Sequence, residues 1–215
     1  MVVRVDFMIS LDGFATTTDQ TPETPFGEDW PRLVGAYAAT RTFRERVLKD
    51  TTGEGTTGVD DEYAKEYFEN VGAEIMGAGM FGLHNFPDDP NWRGWWGDEP
   101  PFGCPVFVLT HKPRPSIEMA GGTTFHFLNT TPVDALQQAV RTANGKDVRM
   151  AVVLPSFATI SKLASSTAFM LLSCRFCSGA ASACGTICAA WKLAAQSRRK
   201  RHRAAPSTSP SNASR

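Results

Sequence analysis

Residues 151–215 of this chain contain no aspartate and no glutamate. Nine lysines and arginines stand there unopposed, so that segment carries +9, whereas residues 1–150 hold all 22 acids beside 13 basic residues and carry −9. The formal net charge of zero is the sum of two unlike parts. Cysteine and serine divide the same way: Cys104 is the one cysteine before Met150, and four of five cysteines and twelve of fourteen serines follow it. Long apolar runs are missing too. No stretch approaches the roughly eighteen apolar residues of a membrane span, and Met1 to Leu11 carries Arg4 and Asp6, unlike a signal peptide. The expectation is a cytoplasmic protein with no membrane partner. The composition, 42% apolar and 20% charged, is ordinary for a globular chain of 215 residues, and a boundary falls near Met150.

Before that boundary strands and helices alternate. Val2 to Ile9 is short, β-branched and almost continuously apolar, as a strand buried on both faces would be. Leu11-Asp12-Gly13 breaks it, and Thr16 to Asp29 is a long polar loop. Trp30 to Leu48 has helical spacing in Leu33, Tyr37, Thr40, Phe43 and Val47, with Pro31 early in it. Thr51 to Gly58 is a turn cluster, and Asp60 to Asn70 is a second helix with acids at its start. Ala73 to Met76, Val106 to Leu109, Thr123 to Leu128 and Asp147 to Met150 read as strands, and Pro132 to Ala143 as a helix. This alternation predicts an α/β fold around a mostly parallel central sheet.

Two segments invite chemistry. Gly77 to Gly82 (GAGMFG) follows a strand at once, and such a turn either cradles a phosphate on its backbone N–H groups or simply reverses the chain. Asn85 to Phe102, rich in tryptophan and proline, is read as a packed surface loop in preference to a ligand platform.

The motifs FMISLDGF, FENVGAEIMGAGMFG, PVFVLTHKPRP, GGTTFHFLN and GKDVRM, in that order over residues 2–150, resemble the dihydrofolate reductase-like superfamily. They resemble in particular the bacterial reductases related to the C-terminal domain of the riboflavin-pathway deaminase-reductase. The resemblance implies a three-layer fold and a cytoplasmic NADPH-dependent reductase of a pteridine-like or ribosylaminouracil-like molecule, with a homodimer in the intact family form. NADPH would lie across the carboxyl ends of the strands. Gly77, Ala78, Gly79 and Met80 would face its pyrophosphate, with Ala78 standing where family members usually have arginine. Thr110, His111 and Lys112 would lie near the adenosine ribose and its 2′-phosphate, although His111 can equally be a plain loop residue. Ile9 would approach the nicotinamide, Asp12 would order the loop closing over it, and Asp29 or Trp30 would touch substrate. No residue is assigned as the catalytic acid, and positioning is the protein's main task in hydride transfer.

The family's next motif, a triple-glycine turn, is absent, since the chain reads Met150-Ala151-Val152-Val153-Leu154-Pro155. Reading the codons one nucleotide out of register restores it: Met150 followed by Ala151 forces a glycine codon, and the next two junctions permit glycine. The shifted string continues for about forty positions as a helix, a buried strand and a second glycine turn. Residues 151–215 are therefore expected to be a frameshifted tail, with the terminal strands of the sheet missing or replaced and the C-terminus disordered. Ser156 to Leu172 could form an isolated helix. Cys174, Cys177, Cys184 and Cys188 fit no familiar zinc spacing, so no metal is expected. The SRRKRHR run at Ser197 to Arg203 is read as a chance basic stretch with no specific nucleic acid. A non-catalytic nucleotide-binding or interaction module, with the basic tail as contact arm, is the alternative function.

Restoring the other frame from codon 150 is expected to give a more soluble protein that melts cooperatively and gains thermal stability from NADPH. The chain as it stands should gain little. Equal cofactor-dependent melting shifts for both chains would contradict the frameshift.

Overall fold

A computed structural model describes residues 1–10, 14–17, 20–21, 23–87, 89–151, 170–177 and 182–183. Its centre is a sheet built by β1 (Val3–Ser10), β3 (Val71–Gly77), β4 (Pro105–Leu109), β6 (Thr124–Leu128), β7 (Asp147–Ala151) and β8 (Met170–Cys177). These six run parallel in the order β6-β4-β3-β7-β1-β8, and β5 (Ile117–Glu118) adds an antiparallel edge beside β6. A separate antiparallel pair joins β2 (Phe14–Thr16) to β9 (Ser182–Ala183). The expected α/β class with a mostly parallel central sheet is what the chain adopts.

Each face of the sheet has its own core. On one face Val3, Val5, Ala73, Ile75, Phe107, Val148 and Met150 meet α5 (Pro132–Thr142) through Ala139, Leu136 and Val140, with Ala143 just past the helix. Thr131 caps that helix by accepting the Asp134 N–H at 3.2 Å. Gly72 lets its end approach β3, since a Cβ there would lie 2.4 Å from the Ala143 carbonyl oxygen. On the other face Met76, Val106, Val108, Phe125 and Phe127 pack under α4 (Ala78–Phe81) and the aromatic insertion, with Phe81, Leu83, Trp92, Trp96 and Phe102 joining them.

That second face also carries charge. Strand register sets Arg4 of β1 beside Arg149 of β7, and Arg149 beside Glu74 of β3. Arg149 donates from Nε to Glu74 Oε2 at 3.1 Å and again from Nη2, while Nη1 donates to the Tyr67 carbonyl at 2.7 Å. Its guanidinium lies 3.9 Å from the centre of the Tyr67 ring. Arg4 donates to the Glu66 and Glu69 carbonyls at 2.9 and 2.8 Å. Both arginines thus take up the orphan carbonyls that end α3 (Val59–Phe68). Burial opposes charge on Arg149, but Glu74 and Tyr67 hold its pKa above the usual range. Complete burial pushes the Glu74 carboxyl up, against the pull of the guanidinium.

The helical pattern of Trp30 to Leu48 resolves into two elements, α1 (Trp30–Ala38) and α2 (Arg41–Arg46). The break at Thr40 has a cause outside the segment. Thr56 donates to the Ala39 carbonyl at 2.8 Å and accepts from the Arg41 N–H at 3.0 Å, which takes these backbone groups out of a continuous helix. Gly55 permits the approach, because a Cβ there would sit 2.7 Å from Arg41 Cα. Thr40 then caps α2 by accepting from the Phe43 N–H. Asp61, 1% exposed, ties α2 to α3: it accepts the Thr42 N–H at 2.8 Å and pairs with Lys65 at 2.9 Å. Burial raises its pKa, and Lys65 and Thr42 more than reverse that, bringing it from 3.8 to about 2.

The cysteine-bearing tail supplies a strand. β8 pairs with β1 from Val3↔Met170 to Ser10↔Cys177, so the place beside β1 is filled, and residues 170–172 of the expected helix are extended. The remainder of that helix, Cys184, Cys188 and the basic run lie outside the described residues.

Two outcomes test this account. Arg149→Met leaves a buried carboxylate without its partner and should cost about 3–5 kcal/mol in urea unfolding, whereas Glu74→Met with Arg149→Met together should lie closer to the parent. Because the folded pKa of Asp61 is depressed, its contribution is full above pH 3.8 and is lost as pH falls towards 2. Asp61→Asn should flatten that acid limb of the stability curve.

Candidate functional site at the carboxyl edge of the sheet

Parallel strands place all their carboxyl ends on one edge. After β3 the chain moves outward to β4, and after β7 it returns to the sheet as β8 on the far side of β1. The connections from neighbouring strands β3 and β7 therefore leave in opposite directions, the arrangement that opens a ligand crevice in sheets of this kind. Met76 pairs with Ala151 and Gly77 with Leu109, so the crevice is bounded by the turn that begins at Gly77.

The three glycines of that turn have different reasons. Gly82 ends α4 with φ +95°, and a Cβ there would meet Trp92 Nε1 at 2.8 Å. At Gly79 a Cβ would meet His84 Nδ1 at 2.9 Å. Gly77 has neither excuse. Its backbone is extended (φ −84°, ψ 160°), which any residue adopts, and a Cβ there would meet nothing within 4 Å. Open space over a backbone at a crevice is what close approach of a ligand requires. Ala78 packs into the aromatic core beneath, and Met80 is 40% exposed.

Thr110, His111 and Lys112 leave β4 next to that turn. Thr110 donates its N–H to the Leu128 carbonyl at 2.9 Å, and its hydroxyl accepts the Lys112 N–H at 3.1 Å. The turn is thus fixed locally, with His111 and Lys112 exposed. Gly77 to Met80 and Thr110 to Lys112 are brought side by side. Ile9 reaches the same edge on β1, two strands from β3, roughly 10 Å away at ordinary strand spacing. Asp29 precedes α1 and is paired with Arg32 at 2.9 Å. Trp30 opens α1 with its ring stacked on Phe26 at 5.6 Å. Asp12 lies outside the described residues.

Sequence reasoning missed Arg114, which anchors the insertion. It donates to the Asp89 carbonyl at 3.1 Å and to the Trp92 carbonyl, with its guanidinium 4.5 Å from the Phe127 ring centre. Burial lowers its pKa. A groove of about 360 Å³ runs past Arg114, Pro115 and Ser116, between the insertion and the start of β5. Trp96 and Phe102 pack with Phe125, as the packed-loop reading requires. Cys104 is buried, and burial together with Glu74 pushes its thiol up to about 12, so it is no nucleophile.

No protein-family model matches this chain, and no curated protein matches it.

Gly77→Ala is expected to leave folding within about 1 kcal/mol of the parent, since neither φ nor space opposes it. Gly82→Ala should cost about 2 kcal/mol or more, from positive φ and the tryptophan ring. If Gly77→Ala unfolds the protein, the glycine serves the fold and not a ligand.

Proposed function

We propose that the chain is built as an NADPH-dependent reductase of a pteridine-like or ribosylaminouracil-like small molecule, acting in the cytoplasm. The observation that carries this reading is Gly77: a glycine the fold does not need, over open space, beside the fixed turn Thr110 to Lys112 at a sheet crevice. The same motifs that resemble the dihydrofolate reductase-like superfamily put both turns there.

The cofactor, when bound, supplies a hydride for an electrophilic C=N or C=O carbon, with a proton from solvent completing the reduction. The residues have separate tasks. The Gly77 backbone admits a pyrophosphate closely, and Lys112 offers positive charge to a 2′-phosphate. By the resemblance, Ile9 at the end of β1 would approach the nicotinamide. The protein's contribution is orientation and exclusion of water, which is what hydride transfer asks of it. Ala78 brings no cation to the pyrophosphate, and this favours weak binding. It is also what supports the second reading, a nucleotide-binding module without catalysis. NADPH oxidation in the presence of candidate substrates separates the two.

Lys112→Ala should weaken NADPH about tenfold and NADH hardly at all, as loss of a charge-assisted contact to the 2′-phosphate would. Isothermal titration with both cofactors checks this. Equal loss for both, or no loss, would remove Lys112 from the site.

A further inference from the structure

We infer that Arg114 and Trp92 form a clamp that joins the two turns bounding the sheet crevice and sets their spacing. The clamp belongs to the fold. That it positions NADPH rests on the reductase reading, and the test separates the two.

The turns leave different strands, Gly77 to Gly82 after β3 and Thr110 to Lys112 after β4. Strand pairing carries their alignment as far as Gly77↔Leu109. Past that point each turn is closed locally. The Gly82 and Leu83 N–H groups return to the Gly79 and Ala78 carbonyls at 3.0 and 2.9 Å, and Thr110 donates to Leu128.

Arg114 crosses between them. It stands two residues past Lys112, and Pro113 and Pro115 on either side keep its backbone extended. Its Nη1 donates to the Asp89 carbonyl at 3.1 Å and its Nη2 to the Trp92 carbonyl. Its guanidinium lies 5.3 Å from the ring centre of Phe81, the last residue of α4. Trp92 completes the link by donating its Nε1–H to the Phe81 carbonyl at 2.8 Å. The same indole fills the space over Gly82, where a Cβ would meet Nε1 at 2.8 Å. A continuous path therefore runs from Lys112 through Arg114 and Trp92 to the helix that Gly77 opens.

Stability alone gives a poor account of this arginine. Its hydrogen bonds go to neutral carbonyls, its Nε is buried with no hydrogen bond, and burial works against its charge. What a guanidinium supplies here is shape: a planar fork that fixes two carbonyls while its face lies 4.5 Å from the Phe127 ring centre. Arg93, in the same insertion, gives the contrast. It is exposed and reaches the Glu118 carbonyl at 3.3 Å, beside the start of β6 and not its end. A ligand spanning the crevice binds more tightly when the turns are ordered beforehand. Arg114 and Trp92 do that ordering through the turns, so both are positioning residues.

The test follows amide hydrogen exchange in the full-length chain, with calorimetric titration of NADPH and NADH beside it. Arg114→Met should speed exchange about tenfold at Thr110 and also at Gly82 and Leu83 on the other turn, the effect of one lost charged hydrogen bond. Trp92→Phe keeps a ring, removes the indole donor, and should likewise reach across to Thr110. Val148, whose N–H donates to Val2 at 3.0 Å in the middle of the sheet, should not change, and Arg93→Met should move neither turn. Loosening confined to the turn that each substitution touches overturns the clamp. If Arg114→Met speeds Val148 as well, it has weakened the whole fold, and the response of Thr110 to Trp92→Phe decides. In the titrations Arg114→Met should cost NADPH about tenfold and NADH less, and adding Lys112→Ala should then cost little more, since Lys112 is already displaced. A full further tenfold loss on adding Lys112→Ala overturns the positioning role. Coupled exchange in a chain that binds no NADPH upholds the clamp and removes the reductase reading.

Discussion

A guanidinium inside a sheet protein can be tolerated in few places, and Arg149 occupies one of them. Its hydrogen bonds go to Glu74 and to the Tyr67 carbonyl, and its flat face goes to the Tyr67 ring. A slip of one residue in β7 would turn this side chain to the opposite face, among Val3, Ile75 and Phe107, where the core is apolar. The register of β7 between β3 and β1 is therefore enforced by the cost of an unpaired charge, not by the strength of the pair. Buried ion pairs commonly break even against apolar replacements while penalising every arrangement that separates them. From this register follows the alignment of Ala151 with Met76, and with it the floor of the crevice beside Gly77.

The same constraint docks α3. The Glu66, Tyr67 and Glu69 carbonyls at its end point at Arg4 and Arg149, so the helix is seated by its own unsatisfied acceptors. α3 in turn holds α2 through Asp61, and the loop from Asp50 to Thr56 closes the gap between α1 and α2. Arg44 secures that loop by its contacts with Asp50 at 2.5 Å and Glu54 at 3.0 Å. Through this chain of contacts the ion pair in the sheet is connected to α1 and to Trp30 at its first position.

The sequence is most readable where local pattern and final environment agree. β4 shows as a short apolar run because both its faces are covered, whereas β3 and β7 carry the buried Glu74 and Arg149 within theirs and β6 alternates. α5 shows because threonine, proline and the apolar spacing all mark one helix. The break at Thr40 was not readable, since its cause is Thr56, brought back by a turn of glycines. Nor was β5, which is two residues long and exists only as a partner for β6. The glycine turn could be found as a candidate site. Which of its glycines the fold needs could not, because that depends on His84 and Trp92 packing back over it. Arg114 and Trp92 stand 22 residues apart, and no periodicity links them.

β8 separates two kinds of demand that a sheet makes on its sequence. β1 lies next to the end of the strand order, and its eight residues pair in register with Met170–Cys177. Ladder hydrogen bonds use only the backbone, so many sequences that are not proline-rich can satisfy them. A segment read out of its original frame can meet that first demand. The second demand is matching of side chains to the layers above and below, and this is met only by a sequence shaped for it. The proposed frameshift is thus compatible with a strand beside β1. Its cost would fall on packing density and on the turn after β7, where a family member of the type resembled would place three glycines. The carboxyl edge is where that cost and the function meet, because the same turn would form the second wall of the crevice opposite Gly77.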